Sequence, residues 1–171
     1  MESNQVILVD ENDVPTGVME KLEAHQKGEL HRAFSIFIFN SKGEMLLQKR
    51  ALHKYHSGGL WTNACCSHPQ PNESNEQAAH RRLMEEMGFD CVLEKKFHFI
   101  YKAQLNNELT EHELDHVFIG TYNKEPRINL DEVADWKYIK PEFILEDIRN
   151  NSQNYTYWFK EVLEKVIRGI K

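Results

Sequence analysis

The chain predicts an α/β fold, a sandwich in which a mixed sheet is flanked by helices. Three observations carry that expectation. The stretch His31–Asn40, HRAFSIFIFN, has apolar residues at both parities, with Phe34, Ile36 and Ile38 set against Phe37 and Phe39. A strand covered on both faces reads this way. Ser74–Gly88 reads as a helix, with Ser74 as N-cap, Gln77 three residues on as its capping-box partner and Gly88 as a left-handed C-terminal cap. The closing segment, 155–170, spaces Trp158, Val162, Val166 and Ile170 at near-helical intervals.

The other elements follow in order. Residues 6–9, VILV, form a short strand, and Asn12–Gly17, with Pro15 and Gly17, a turn. Lys21 and His25 lie on a helical or irregular segment. After the strand from His31, a turn at Asn40–Gly43 returns the chain as a strand over Met45–Lys49 with Arg50 at its end, an antiparallel hairpin. Residues 51–60 are a loop with Lys54 and two glycines. Phe89–Leu105 holds one or two strands, Asn106–Asn107 a turn, and Leu109–Tyr122 another strand. Residues 127–130 are loop, and Ala134–Ile139 is a strand. Pro141 suits a helix start, with Phe143, Ile144 and Ile148 on its apolar face.

Length and composition narrow the function. At 171 residues one domain, 1–171, is expected, with a substantial core. Apolar content of 40% and charged content of 28% are those of a soluble globular protein. A net charge of −6 argues against a nucleic-acid partner. It also means that an anionic ligand needs local Lys and Arg, or a bound cation. No apolar run reaches the length of a membrane span, so no membrane partner is expected. The opening MESNQVILVDEND lacks the basic-then-apolar layout of a signal peptide. Three cysteines, two of them adjacent, make no disulfide framework, and a reducing cytoplasm is the expected compartment.

Chemistry concentrates in Trp61–Gly88 and around Glu111. Alternate side chains on a strand share a face, so Cys66 and His68 sit together if that stretch is extended, and Glu111 and Glu113 sit together on theirs. Cys65 has the opposite parity and should point into the core or toward the opposite layer. Two neighbouring carboxylates repel unless a proton or cation lies between them. His25 and His31 cannot share one helix face and would reach a site from a loop and a strand start. With His68, Glu111 and Glu113 they make an N/O donor set suited to an octahedral divalent ion such as Mn²⁺, Zn²⁺ or Fe²⁺.

The register Ser67, Glu73, Arg81, Arg82, Leu83, Glu85, Glu86, Gly88, Phe89 resembles the Nudix box, with two departures. Ser67 replaces its glycine, and Arg82 replaces the glutamate after Arg81 that helps hold the hydrolytic metal. A Nudix-like α/β sandwich is implied. Over nearly its whole length the chain resembles the type 1 isopentenyl-diphosphate isomerase family. The matching pieces are PTGVMEKLEAH (15–25), ELHRAFS (29–35), QKRALHK (48–54), WTNACCSHPQ (61–70), RRLMEEMG (81–88), TEHELDHVF (110–118) and YTYWF (155–159).

That resemblance implies interconversion of isopentenyl and dimethylallyl diphosphate through a tertiary carbocation-like intermediate, in isoprenoid biosynthesis. It implies Cys66 and Glu113 as the catalytic pair, with Tyr101 relaying a proton to Glu113 and the Trp158 indole shielding the cation. It implies His25, His31, His68, Glu111 and Glu113 as ligands of Mn²⁺ or Zn²⁺. Glu86 and the Cys66 backbone carbonyl would hold a Mg²⁺ that also binds the diphosphate. Lys21, Arg50, Lys54 and Arg82 would meet the phosphates. No flavin is expected, and the protein should be a monomer or weak dimer. A Nudix-type diphosphate hydrolase and a non-enzymatic metal-binding module are the alternative readings.

Overall fold

The structure, a computed structural model, describes residues 4–54, 56–105 and 107–169. The strands are β1 (Gln5–Val9), β2 (Pro15–Glu20), β3 (His31–Phe39), β4 (Met45–Arg50), β5 (Trp61–Thr62), β6 (Cys65–Ser67), β7 (Leu93–Gln104), β8 (Thr110–Thr121) and β9 (Val133–Ile139). The helices are α1 (Lys21–Lys27), α2 (Asn75–Met87), α3 (Pro141–Asn150) and α4 (Tyr157–Gly169). Strand β3 is the hub. It pairs antiparallel with β1, β4 and β6, and parallel with β8. That parallel pairing makes the sheet mixed, as the sequence predicts.

Both faces of β3 are buried. Phe34, Ile36 and Ile38 pack with Ala79, Leu83 and Met87 of α2 in one apolar cluster. Phe37 and Phe39 pack with Trp158, Phe159, Val162 and Val166 of α4 in the other. Two apolar layers therefore lie on opposite sides of one sheet. Helix α2 carries both halves of the capping box, Gln77 N–H to Ser74 Oγ and Ser74 N–H to Gln77 Oε1. Gly88 ends it at φ 72°, and a Cβ there would lie 2.4 Å from the Arg127 carbonyl, so glycine is required on both counts.

Two expectations are corrected. The turn placed at Asn12–Gly17 lies earlier, because the Asp10 carboxylate accepts from the backbone N–H of Asn12 and Val14 and folds the chain there. Pro15–Glu20 is then free to pair with β1, and Pro15 is tolerated because β2 is the sheet edge. His25 comes from helix α1 rather than a loop. Residues 93–104 form one long strand, within the one or two expected, with a bulge between Lys95 and Phe97. Asn106 of the expected turn and Ile170 of the last helix lie outside the described residues.

The loop between β6 and α2 is pinned by a fork. Arg81 donates from Nε and Nη2 to the two carboxylate oxygens of Glu73, at 2.7 and 2.9 Å. The Arg81 guanidinium outweighs partial burial and holds Glu73 below its ordinary range. A carboxylate lowered in the folded state stabilises above its unfolded pKa and loses that contribution as pH falls through the folded value. Glu73→Gln is expected to lower stability by about 1 kcal/mol at pH 7. The deficit should vanish in chemical denaturation well below pH 4, and an equal deficit at both pH values would contradict the account.

Candidate active site

Strand pairing brings the candidate residues together. His31 and Glu113 are Cα partners across β3 and β8, so their side chains stand side by side on one face. His25 enters from the last turn of α1, whose first turn is capped by Glu20 and which ends at Gly28. His68 arrives just after β6. Donor atoms of His25, His31, His68 and Glu113 all lie within 4.8 Å of one another. His68 Nε2 is 2.6 Å and His31 Nε2 3.2 Å from Glu113 Oε2. Glu111 falls in an adjoining group with His25 and His56.

The rings are oriented from behind. The Nδ1–H of His25 donates to the Lys21 carbonyl at 2.7 Å, and that of His31 to the Glu29 carbonyl at 2.9 Å. A carbonyl only accepts, so these bonds leave each Nε2 facing the carboxylates. An imidazole lone pair close to a carboxylate oxygen is repulsive unless a proton or cation sits between them. Backbone-anchored imidazoles around buried carboxylates suit a divalent cation, and the donor set fits one. Burial takes His68 down to about 4, against an opposing pull from Glu113. The same effect, with Arg50 next, takes His56 to about 3.

The two carboxylates differ. Burial and the neighbouring Glu113 push Glu111 up. Burial also acts on Glu113, but His68 and His31 outweigh it and hold that group well below its usual range. Tyr101 joins them, its hydroxyl 2.5 Å from Glu111 Oε2 and hydrogen-bonded to Glu113 Oε1. Burial, then these carboxylates, drive the Tyr101 phenol well above its ordinary value, so it stays protonated as a donor.

The adjacent thiols separate by parity. Cys65 is fully buried in the α2-side cluster. It also reaches Glu86 Oε2 at 3.4 Å, a contact parity alone does not foretell. Cys66 belongs to the other side and lines the cavity with Glu111, Glu113 and His68. Its Sγ donates to Asn63 Oδ1 at 3.0 Å and receives the Trp158 indole N–H at 3.1 Å. Burial, then the Asp115 carboxylate, push the Cys66 thiol far up, so it keeps its proton. Asn63 cannot flip, because its Nδ2 donates to the Ile36 and Cys65 carbonyls at 2.9 and 3.0 Å.

The same cavity collects Lys21, Arg50, Lys54 and Arg82, together with Glu86 and Trp158. Lys54 and Arg82 hold carboxylates. Lys54 pairs with Glu132, and Arg82 lies 2.6 Å from Glu85, 3.0 Å from Glu86 and 3.4 Å from Glu132. Burial alone would raise Glu132, but Lys54 and Arg82 bring it below its ordinary value. The Arg50 guanidinium carbon is 5.3 Å from the Trp158 ring centroid, so the indole borders a cation.

Several cavity residues escape the sequence reading. Asp115 continues the alternation of Glu111 and Glu113, and that parity could have found it. It accepts from Ser35 Oγ at 2.7 Å. Ser35 shares the parity of His31 and is the polar exception in an apolar run. Glu132 and His56 give no local signal, because each reaches the cavity only through the tertiary fold.

Residues 29–159 match the NUDIX domain family. The chain is similar to isopentenyl-diphosphate Delta-isomerase 2 of Photorhabdus laumondii, 58% identical over 158 residues, covering 92% of this chain and 89% of that protein. It is similar to isopentenyl-diphosphate Delta-isomerase of Pectobacterium atrosepticum, 52% identical over 166 residues, covering 97% and 93%. Among solved structures, one from Deinococcus radiodurans shares the fold with a TM-score of 0.78 at 18% identity, covering 98% of this chain and 99% of that one. A MutT protein from Methanosarcina mazei shares it with a TM-score of 0.69 at 20% identity, covering 83% and 96%.

Proposed function

The chain belongs to the isopentenyl-diphosphate Delta-isomerase family within the NUDIX domain proteins, and from that premise we propose how its residues carry the reaction. The protein is an isomerase that interconverts isopentenyl and dimethylallyl diphosphate. The observation supporting the residue roles is the sharing of one cavity by a protonated thiol, a low-pKa carboxylate and four cationic side chains.

A diphosphate entering that cavity meets Lys21, Arg50, Lys54 and Arg82, and takes over contacts that Glu132 and Glu86 make in its absence. The double bond moves by one carbon. The C3=C4 π pair takes up a proton at C4 and leaves C3 cationic, and the C2–H bonding pair then becomes the C2=C3 double bond as a proton leaves C2. Cys66 Sγ and the Glu113 carboxyl are the two proton-carrying groups, one for each carbon. The Tyr101 hydroxyl, bonded to both Glu111 and Glu113, passes protons to and from Glu113. Trp158 borders the position of the cationic carbon and offers no nucleophile to trap it. A Mn²⁺ or Zn²⁺ at His25, His31, His68, Glu111 and Glu113 would sharpen the acidity of that carboxyl, and a Mg²⁺ at Glu86 and the Cys66 carbonyl would neutralise diphosphate charge. Three free cysteines suit a reducing cytoplasm.

Isopentenyl diphosphate turned over in deuterated water should yield labelled dimethylallyl diphosphate without matching phosphate release. Arg82 stands where a hydrolase box carries glutamate, and this motivates the expectation. Phosphate appearing as fast as substrate disappears would favour hydrolysis. Stripping divalent cations should abolish the exchange. Full turnover in protein verified to be free of metal would sink the metal assignments.

A further inference from the structure

The loop after β4 carries a histidine that the family resemblance gives no role. The ends of that loop are tied, Arg50 N–H to the Leu60 carbonyl and Gly59 N–H to the Arg50 carbonyl, each at 2.9 Å. Its turn over 57–59 is narrowly set. Ser57 and Gly59 have φ of 55° and 77°, and a Cβ on Gly58 would lie 2.6 Å from the Leu52 carbonyl oxygen. His56 directly precedes that turn. Its Nε2 lies 3.3 Å from Glu111 Oε1, and its ring centroid 5.5 Å from that of His25. The Arg50 guanidinium donates to the His56 backbone carbonyl at 3.3 Å.

The donor atoms of His25, His56 and Glu111 lie within 4.8 Å of one another, as do those of His25, His31, His68 and Glu113. The two sets share His25. With its Nδ1 engaged by the Lys21 carbonyl, that ring offers one lone pair, which serves one ion. The two sets therefore describe a single centre. We propose that His56 is a further ligand of the divalent ion at this centre, so that the shell takes four imidazoles, from His25, His31, His56 and His68, with the two carboxylates. This rests on the metal reading above. Six N and O donors match the octahedral preference of Mn²⁺, a shell that the larger Cd²⁺ also accepts. It also ties the ion to the loop that presents Lys54, and to Arg50 through the His56 carbonyl.

The test uses the full chain, stripped of metal and reloaded with a spin-active cadmium isotope, and reads which imidazole nitrogens couple to the metal by NMR. Four coupled rings, with His56 among them, are expected. Three coupled rings without His56 would overturn this inference while leaving the metal centre standing. No coupled ring would overturn the metal reading and this inference together. A second measurement uses His56→Ala and His56→Gln, with metal affinity taken by chelator competition. Glutamine keeps a hydrogen bond to Glu111 but supplies no imidazole. Both variants should bind Mn²⁺ at least about tenfold more weakly, the range for disturbing a metal's surroundings. Wild-type affinity in His56→Gln would show that the residue only bonds to Glu111, against the proposal.

Discussion

Replacing Cys66 with alanine is expected to cut turnover about a thousandfold or more, the scale of losing a positioned proton carrier. The fold should survive, since Cys66 is at the cavity wall and only the Trp158 indole N–H loses its partner with the thiol, while the other side chains on the Sγ have partners of their own. Asn63 keeps its bonds to Thr62, Ile36 and Cys65, and Ser35 keeps Asp115. Cys66→Ser is the sharper chemical test, because it preserves shape but replaces a thiol of ordinary pKa roughly 8.5 with a far weaker acid. Cys65→Ala is the matched control. Its Sγ lies in the α2-side cluster, so the loss should be about 1 kcal/mol of packing, with most of the turnover retained. Steady-state kinetics and thermal denaturation on the three variants decide the matter. An active Cys66→Ala protein would remove the thiol from the mechanism.

Glu113→Gln should lose about as much. The amide keeps the volume but neither titrates nor carries charge, and it meets the Nε2 atoms of both His31 and His68. Two effects are expected together, a collapse of turnover by about two to four orders of magnitude and weaker retention of metal. Metal content must therefore be measured in the same sample as the rate. A variant that retains both its metal and its rate would contradict the assignment of Glu113. Glu111→Gln separates the two carboxylates. It leaves the His31 and His68 contacts in place and should cost less of both.

What could be read from the chain beforehand was whatever depends on local periodicity. The capping box of α2, the covered strand from His31 and the shared face of Glu111 and Glu113 all follow from spacing a few residues long. Alternating parity also separates Cys65 from Cys66, and each lies in its own layer. Where the reading slipped, a longer-range contact decided. Pro15 and Gly17 are turn formers, yet they lie in β2, because Asp10 closes the turn first and β1 offers a partner. Residues such as Glu132, which meets Lys54 and Arg82 across the cavity, carry no mark in sequence. A carboxylate is a counter-ion only once the fold has delivered its cation. His56 is of the same kind, a loop histidine whose neighbours come from α1 and β8.

The parallel partnership of β3 with β8 has a kinetic consequence. The bond between His31 and Glu113 spans 82 residues of chain, whereas β7 and β8 meet through a short connection. Closing the longer loop costs more entropy, and nonlocal pairings of this kind slow the search for the native state. The β7–β8 hairpin can therefore assemble early, while the imidazole–carboxylate ring is complete only once the distant strands have met. A ligand gripped by His31 and Glu113 jointly has affinity for the finished sheet and none for the half-paired chain, so it deepens the native well by mass action. If the strands close after the rate-limiting barrier, that gain falls on the escape rate. The loaded protein should then unfold more slowly in denaturant while refolding at an unchanged speed.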